Sequence, residues 1–221
     1  MIFTDNQKPY KQRKVRILNG AHTSFVPAAF QMGYDIVLDA MNDPLVAGFM
    51  HETLHQEVIP TLTLPKEDLL SFADAVTQRF RNPFIKHALL SICLNSVSKW
   101  RARCMPSLLV YQQQTGRLPG RLTFSLAALI SLYRGGELKD GKLECLRDGQ
   151  PYTLQDDAAV LSFFADNKST PAADLAKAFI EREDFFGPDL KAVPGLIPAV
   201  ADYLAEIESD GVRAVMQKYW G

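Results

Sequence analysis

The chain has 221 residues, with 24 Lys plus Arg against 25 Asp plus Glu, a net charge of -1, and 47% hydrophobic residues. That length supplies one large domain or two small ones, and the even charge balance excludes the basic footprint of a nucleic-acid-binding protein. No apolar run approaches the ~20 residues of a membrane span, and the start Met1-Ile2-Phe3-Thr4-Asp5-Asn6 has no basic region leading into an apolar one. Cys93, Cys104 and Cys145 form neither a CxxC pair nor a disulfide framework, which fits a reducing, cytoplasmic setting.

Taken in order, residues 1–13 are polar and read as an irregular arm or linker, and residues 14–221 read as one mostly helical domain. Thr23 to Met32 turns apolar, with Phe25, Val26, Ala29 and Phe30 at helical spacing. Asn42-Asp43-Pro44 signals a helix start, a capping carboxylate followed by proline in the first turn. That helix carries Leu45, Phe49, Leu54, Val58 and Ile59 and stops near Pro60. A second helix opens at Pro65, shows Leu69, Phe72, Ala73, Val76 and Phe80 on one face, and is stopped by Asn82-Pro83. Phe84 to Leu94 is apolar enough to predict burial. Pro106 opens a helix that Gly116 ends, and Leu122 to Tyr133 is apolar nearly all round, the pattern of a central helix. Glycines, charges and Pro151 predict a loop or short hairpin over 141–152. Helices return over 156–165, 171–180, 196–207 and 212–220, with Thr170-Pro171 repeating the cap-then-proline signature. The expected class is all-α, with that hairpin as the one exception.

The chemistry concentrates near the start. Lys14-Val15-Arg16-Ile17-Leu18-Asn19-Gly20-Ala21-His22 places an amine, a carboxamide and an imidazole within nine positions. An amine exchanges protons, an amide polarises an oxygen, and an imidazole orients a hydroxyl. Lys14, following Lys11 and Arg13, also reads as a plain surface charge. The functional reading requires it to be desolvated, with Val15, Ile17 and Leu18 supplying dry surroundings and Arg16 repelling the charged form. Asn19-Gly20 reads equally as a turn or a helix cap, and a lone histidine is commonly structural. If a helix has begun by Asn19, then Asn19 and His22 share its face.

Two further patterns stand beside this one. His51-Glu52-Thr53-Leu54-His55 spells HExxH on an amphipathic helix, the motif of zinc hydrolases, but the third ligand is missing from the neighbourhood. Arg81, Lys86, Lys99, Arg101 and Arg103 cluster around the apolar stretch 84–94, either as helix-end cations or as groups that recognise a polyhydroxy acid. No G-x-G-x-x-G phosphate loop occurs, so a dinucleotide site of the usual form is not in this sequence.

Lys14, Asn19 and His22, read as Lys-x-x-x-x-Asn-x-x-His, resemble the catalytic signature of the polyol-specific long-chain (mannitol) dehydrogenase family. The blocks KVRILNGAHTSFVPAAF (14–30), EVIPTL (57–62), RFRNPFIKHALLSICLNSVSKW (79–100) and RLTFSLAALISLYRG (121–135) resemble its sugar-acid branch of tagaturonate reductases. The resemblance implies an NAD-dependent oxidoreductase of two domains, an N-terminal Rossmann domain and a C-terminal helical one, of which this chain matches only the second. It implies NAD held mainly by the other domain, no metal, a small sugar-acid substrate, and a fragment inactive alone. Lys14 is then the general acid/base, Asn19 polarises the reacting oxygen and His22 binds a hydroxyl. Lys99 matches a substrate-binding lysine, and Asn95, Ser91 and Arg81 complete the expected substrate contacts. Ser91 stands where the mannitol branch carries arginine, which argues against mannitol. Related readings are a fructuronate reductase or hexitol dehydrogenase domain. From other classes come a non-catalytic helical binding module and a zinc hydrolase using His51, Glu52 and His55.

Overall fold

The computed structural model describes residues 7–221. Its first element is a single long helical run in three parts: α-helical Lys8–Arg13, a π-helical turn Lys14–Asn19, and α-helical Gly20–Gln31. The arm expected over residues 1–13 is therefore helical from Lys8 onward, and its first six residues lie outside the described part. Pro9 supports the start, where its missing N–H costs nothing. The Arg13 guanidinium lies 4.4 Å from the Phe72 ring centroid, tying the segment to the body. Within the π turn the Gly20 N–H bonds back to the Val15 carbonyl, five residues away. A side chain at residue 20 would put Cβ 3.3 Å from the Arg103 carbonyl oxygen, so glycine lets this turn press against the neighbouring helix.

The Gly20–Gln31 segment is buried on nearly every side and packs on the central helix Gly120–Tyr133, buried almost all round as its sequence predicts. Gln31 joins the two: its Nε2 donates to the Pro27 and Ala128 carbonyls at 2.8 and 2.9 Å, and its Oε1 accepts from Ser131 at 2.7 Å. At the start of the central helix the buried Glu57 carboxylate accepts from the backbone N–H groups of Arg121 and Leu122, both at 2.8 Å. It satisfies two of the donors that a helix start leaves open. Leu196–Asp210 packs on the central helix and against Ala172–Ile180, and Val212–Trp220 packs on Leu196–Asp210 and Pro44–Glu52. One contiguous apolar cluster runs through all these helices. At roughly 1.5–3 kcal/mol for each fully buried large apolar side chain, it gives these helices a shared core.

Asp43 caps the Pro44–Glu52 helix as expected, its Oδ1 accepting from Leu45 N at 2.8 Å. Gly116 ends Met105–Thr115 in the left-handed conformation. Thr170 does not cap the helix that follows; its hydroxyl donates to the Asn167 side chain and Pro171 precedes Ala172–Ile180 without a side-chain cap. The region around 141–152 holds more than one hairpin. Glu137–Lys139, Lys142–Arg147 and Gln150–Leu154 form a three-stranded antiparallel sheet in sequence order. Its turns are Asp140-Gly141 and Asp148-Gly149, all four residues at positive φ, the chemistry of tight two-residue hairpins. Arg147 anchors the sheet to the end of the first long helix by donating to the Phe30 and Tyr34 carbonyls and to Asp35.

The stretch 84–94 departs most from expectation. Phe84 is 92% exposed, with Ile85 and Leu94 also largely exposed, and only Leu89–Ile92 is helical. Residues 85–88 run extended beside the start of Val37–Asn42. Val37 N bonds the His87 carbonyl at 2.9 Å, Leu89 N bonds the Asp35 carbonyl at 2.8 Å, and Ile36 forms an isolated antiparallel bridge with Ala88. Pairing the backbone this way leaves the apolar side chains of Phe84 and Ile85 facing out. Apolar content alone does not distinguish an inward face from one turned outward.

Candidate active site

A cavity of about 360 Å³ opens beside the π turn, lined by Lys14, Leu18, Asn19, His22, Val37, Arg79, Phe80, Ile85 and His87. The π turn explains how the three sequence-chosen residues meet. In a regular α-helix, residues five apart such as Lys14 and Asn19 point about 140° away from each other at ~100° per residue. A π turn bonds residue i to i+5 and brings them toward one side. Regular helix resumes at Gly20, and His22, three residues after Asn19, stays on that side.

Asn19 is neither a cap nor a turn residue. Its backbone is helical, because the helix has already been running since Lys8, and it keeps its side chain for the cavity. Its carbonyl accepts from the Thr23 hydroxyl, which in turn accepts from Arg103 Nη1 at 3.2 Å. Arg16 also departs from expectation. It turns away from Lys14 into the interior, where Nη1 donates to the Ser107 hydroxyl at 2.7 Å. Lys14 itself is exposed, so neither its apolar neighbours nor Arg16 desolvates the amine within this chain.

His22 is the most strongly perturbed group in the cavity. Its ring stacks on Phe80 with centroids 3.9 Å apart and meets His87 edge-on at 5.4 Å. Desolvation first, then the charges of His87, Arg103 and Arg79, lower its pKa from 6.5 to about 3. The imidazole is therefore neutral at physiological pH, a state that both donates and accepts a hydrogen bond. Its Nε2 is buried and has no hydrogen-bond partner within the described residues.

The remaining expected contacts do not reach this cavity. Lys99 sits beside His22 in a small separate recess, where its ammonium donates to the Ile92 carbonyl at 2.9 Å; desolvation, then Arg103, lowers its pKa. Asn95 is exposed in a left-handed conformation before Ser96–Arg103, and its backbone N–H bonds the Gln155 carbonyl. Ser91 donates to the Ala88 carbonyl and lines another recess beside Leu154 and Gln155. Arg81 is an exposed residue at the C-cap of Lys66–Phe80. Two cavity residues carry no signal in the sequence pattern. Arg79 comes from the last turn of Lys66–Phe80, and His87 is carried in by the Ile36–Ala88 bridge.

His51 and His55 stack at 3.9 Å, and His51 Nδ1 lies 3.2 Å from Glu52 Oε1. Among the described residues no group of three or more His, Cys, Asp or Glu side chains is placed to hold a metal, and no helix is long and apolar enough to cross a membrane.

A family model described as the mannitol dehydrogenase C-terminal domain matches residues 6–208. Altronate oxidoreductases of Yersinia enterocolitica (serotype O:8 / biotype 1B) and Enterobacter sp. (strain 638) are each 46% identical over 98% and 99% of this chain, and over 44% of their own length. Among solved structures, the Pseudomonas fluorescens mannitol 2-dehydrogenase ternary complex with NAD and D-mannitol superposes with a TM-score of 0.83 and 25% identity, covering 98% of this chain and 42% of that one. A D-sorbitol dehydrogenase in substrate-free form shares the fold, with a TM-score of 0.72 and 20% identity over 96% of this chain and 41% of its own. The chain thus spans less than half the length of the relatives it matches.

Proposed function

The chain belongs to the mannitol dehydrogenase C-terminal domain family, and from that membership we propose that it is the substrate-facing half of an NAD-dependent oxidoreductase interconverting D-tagaturonate and D-altronate. The observation that carries this reading is the convergence of Lys14, Asn19 and His22 on one cavity through a π turn. Such turns interrupt α-helices frequently at functional sites.

Each side chain has one task. The Lys14 side chain, as the ammonium, gives a proton to the ketone oxygen in the reducing direction and, as the neutral amine, takes one from the alcohol in the other. The Asn19 amide donates a hydrogen bond to that oxygen and stabilises the charge that develops on it. Neutral His22 orients a neighbouring hydroxyl without adding charge to the cavity. A nicotinamide cofactor, when bound, supplies or accepts the hydride. The residues of this chain do not form a dinucleotide cradle: the sheet among the described residues is an antiparallel meander with no strand-turn-helix phosphate loop. We therefore assign cofactor binding to a second, Rossmann-type half. That half would cover the cavity, the exposed Lys14 amine and the outward-facing Phe84 and Ile85. Covering the amine would supply the desolvation that this chain lacks.

A substrate panel on the full-length gene product tests the reading. With NADH, D-tagaturonate should give a kcat/KM at least ~10-fold above D-fructuronate and D-fructose, a discrimination of about 1.4 kcal/mol. A preference for fructose or fructuronate replaces it with a hexitol dehydrogenase or fructuronate reductase.

A further inference from the structure

We propose that Arg79 is the group that anchors the substrate's carboxylate and so makes this cavity selective for sugar acids over neutral sugars; the inference rests on the proposed function above. The charge inventory of the cavity carries it. Among the described residues the titratable side chains lining it are Lys14, His22, Arg79 and His87, with no carboxylate among them. With His22 neutral, the described lining still holds a lysine and an arginine, and no acidic side chain. A recess of that composition repels cations and favours an anion.

The cations nearby are separated by what they already bind. Arg16 is committed to Ser107, Arg103 to Thr23, and Lys99 to the Ile92 carbonyl. Arg79 has no hydrogen-bonding or carboxylate partner among the described side chains, although it stands close enough to His22 to lower that ring's pKa. Lys14 is reserved for the reacting oxygen. Among the described residues lining the cavity, that leaves the planar Arg79 guanidinium, the group best shaped for two-point binding of a carboxylate, without a partner of its own. The cavity volume of about 360 Å³ falls within the usual range of small-ligand sites. Phe80, the next residue, stacks on His22 and fixes the rim from which Arg79 projects. The run of cations from Arg81 to Arg103 in the sequence points to the right chemistry but not to this residue. Arg81 lies only two positions further on, yet it falls past the helix end and outside the cavity.

The test uses NMR titration of the full-length gene product with three ligands: D-altronate, the neutral hexitol D-altritol, and adipate, a carboxylate without hydroxyls. Resonances of the Arg79 Nε–H and the His22 and His87 rings report occupancy. Wild type should bind altronate ~10-fold or more tightly than altritol, and more tightly than adipate. Arg79→Gln should lose ~10-fold or more in altronate affinity and leave altritol unchanged, while Arg79→Lys should recover part of the loss, having charge without the fork. Altronate bound equally well by wild type and Arg79→Gln overturns the inference and leaves the proposed function standing. Adipate bound as tightly as altronate, with both requiring Arg79, keeps the anchor and removes the sugar-acid reading. No saturable shift from any of the three overturns both.

Discussion

Replacing His22 should flatten the acid limb of the stability curve. The folded site holds this imidazole neutral down to about pH 3, whereas the unfolded chain protonates it near 6.5. Stability contributed by the depressed pKa is thus present above pH 6.5 and is lost as pH falls from there toward 3, because the unfolded state takes up a proton that the folded state refuses. Between pH 7 and pH 5 the full linkage loss for such a group is about 2 kcal/mol. Since the ring is only partly buried, water screens some of that, and about 1–2 kcal/mol is the expected loss. Glu57, whose pKa burial raises, responds in the opposite direction, and it is common to wild type and variant. Urea unfolding of wild type and His22→Gln at pH 7 and pH 5 isolates the effect. His22→Gln loses the stack on Phe80 at both pH values, so the informative quantity is the change between them. Wild type should lose about 1–2 kcal/mol more than His22→Gln on acidification. Parallel losses in the two proteins would refute the neutral, desolvated imidazole on which the His22 assignment depends.

Other outcomes follow from the same structure. Glu57→Ala should destabilise by about 2 kcal/mol, measured by chemical unfolding at neutral pH, since it removes the acceptor for two buried N–H groups at the start of the central helix. Calorimetric titration of the 221-residue chain with NADH should show no binding tighter than millimolar, and the chain alone should not oxidise NADH with D-tagaturonate. Elemental analysis of the purified chain should find zinc far below one per chain; stoichiometric zinc would revive a hydrolytic role for His51, Glu52 and His55.

Helix punctuation was legible in the sequence because caps are local chemistry. Asp43-Pro44 and Gly116 act at the helix ends where their residue types require. The all-round apolar pattern of 122–133 identified the central helix for a similar reason: its burial needs no particular partner to be recognised. Non-local features were harder. The π turn at Lys14–Asn19 sets Gly20 close against the Arg103 backbone, 83 positions away, and Asn19-Gly20 taken alone reads as a turn. His87 reaches the site through backbone pairing with residues 35–37, a contact no periodicity announces. The apolar run 84–94 predicted burial, which holds for Leu89, Ile92 and Cys93, while Phe84, Ile85 and Leu94 face outward. The second hairpin was signalled by two Asp-Gly pairs, and reading both would have given the whole three-stranded sheet. Of the site itself, Lys14, Asn19 and His22 came through resemblance to a family signature. Spacing already put Asn19 and His22 on one helix face, but the π turn that brings Lys14 round to them was not legible.

The central claim is that Lys14 exchanges the proton with the reacting oxygen. Steady-state turnover of Lys14→Ala in the full-length gene product, with NADH and saturating D-tagaturonate, tests it most directly. The account predicts a fall in kcat of ~10²-fold or more with the fold intact, as expected for loss of a positioned acid/base. A kcat within about threefold of wild type, less than ~0.7 kcal/mol of barrier, would contradict it.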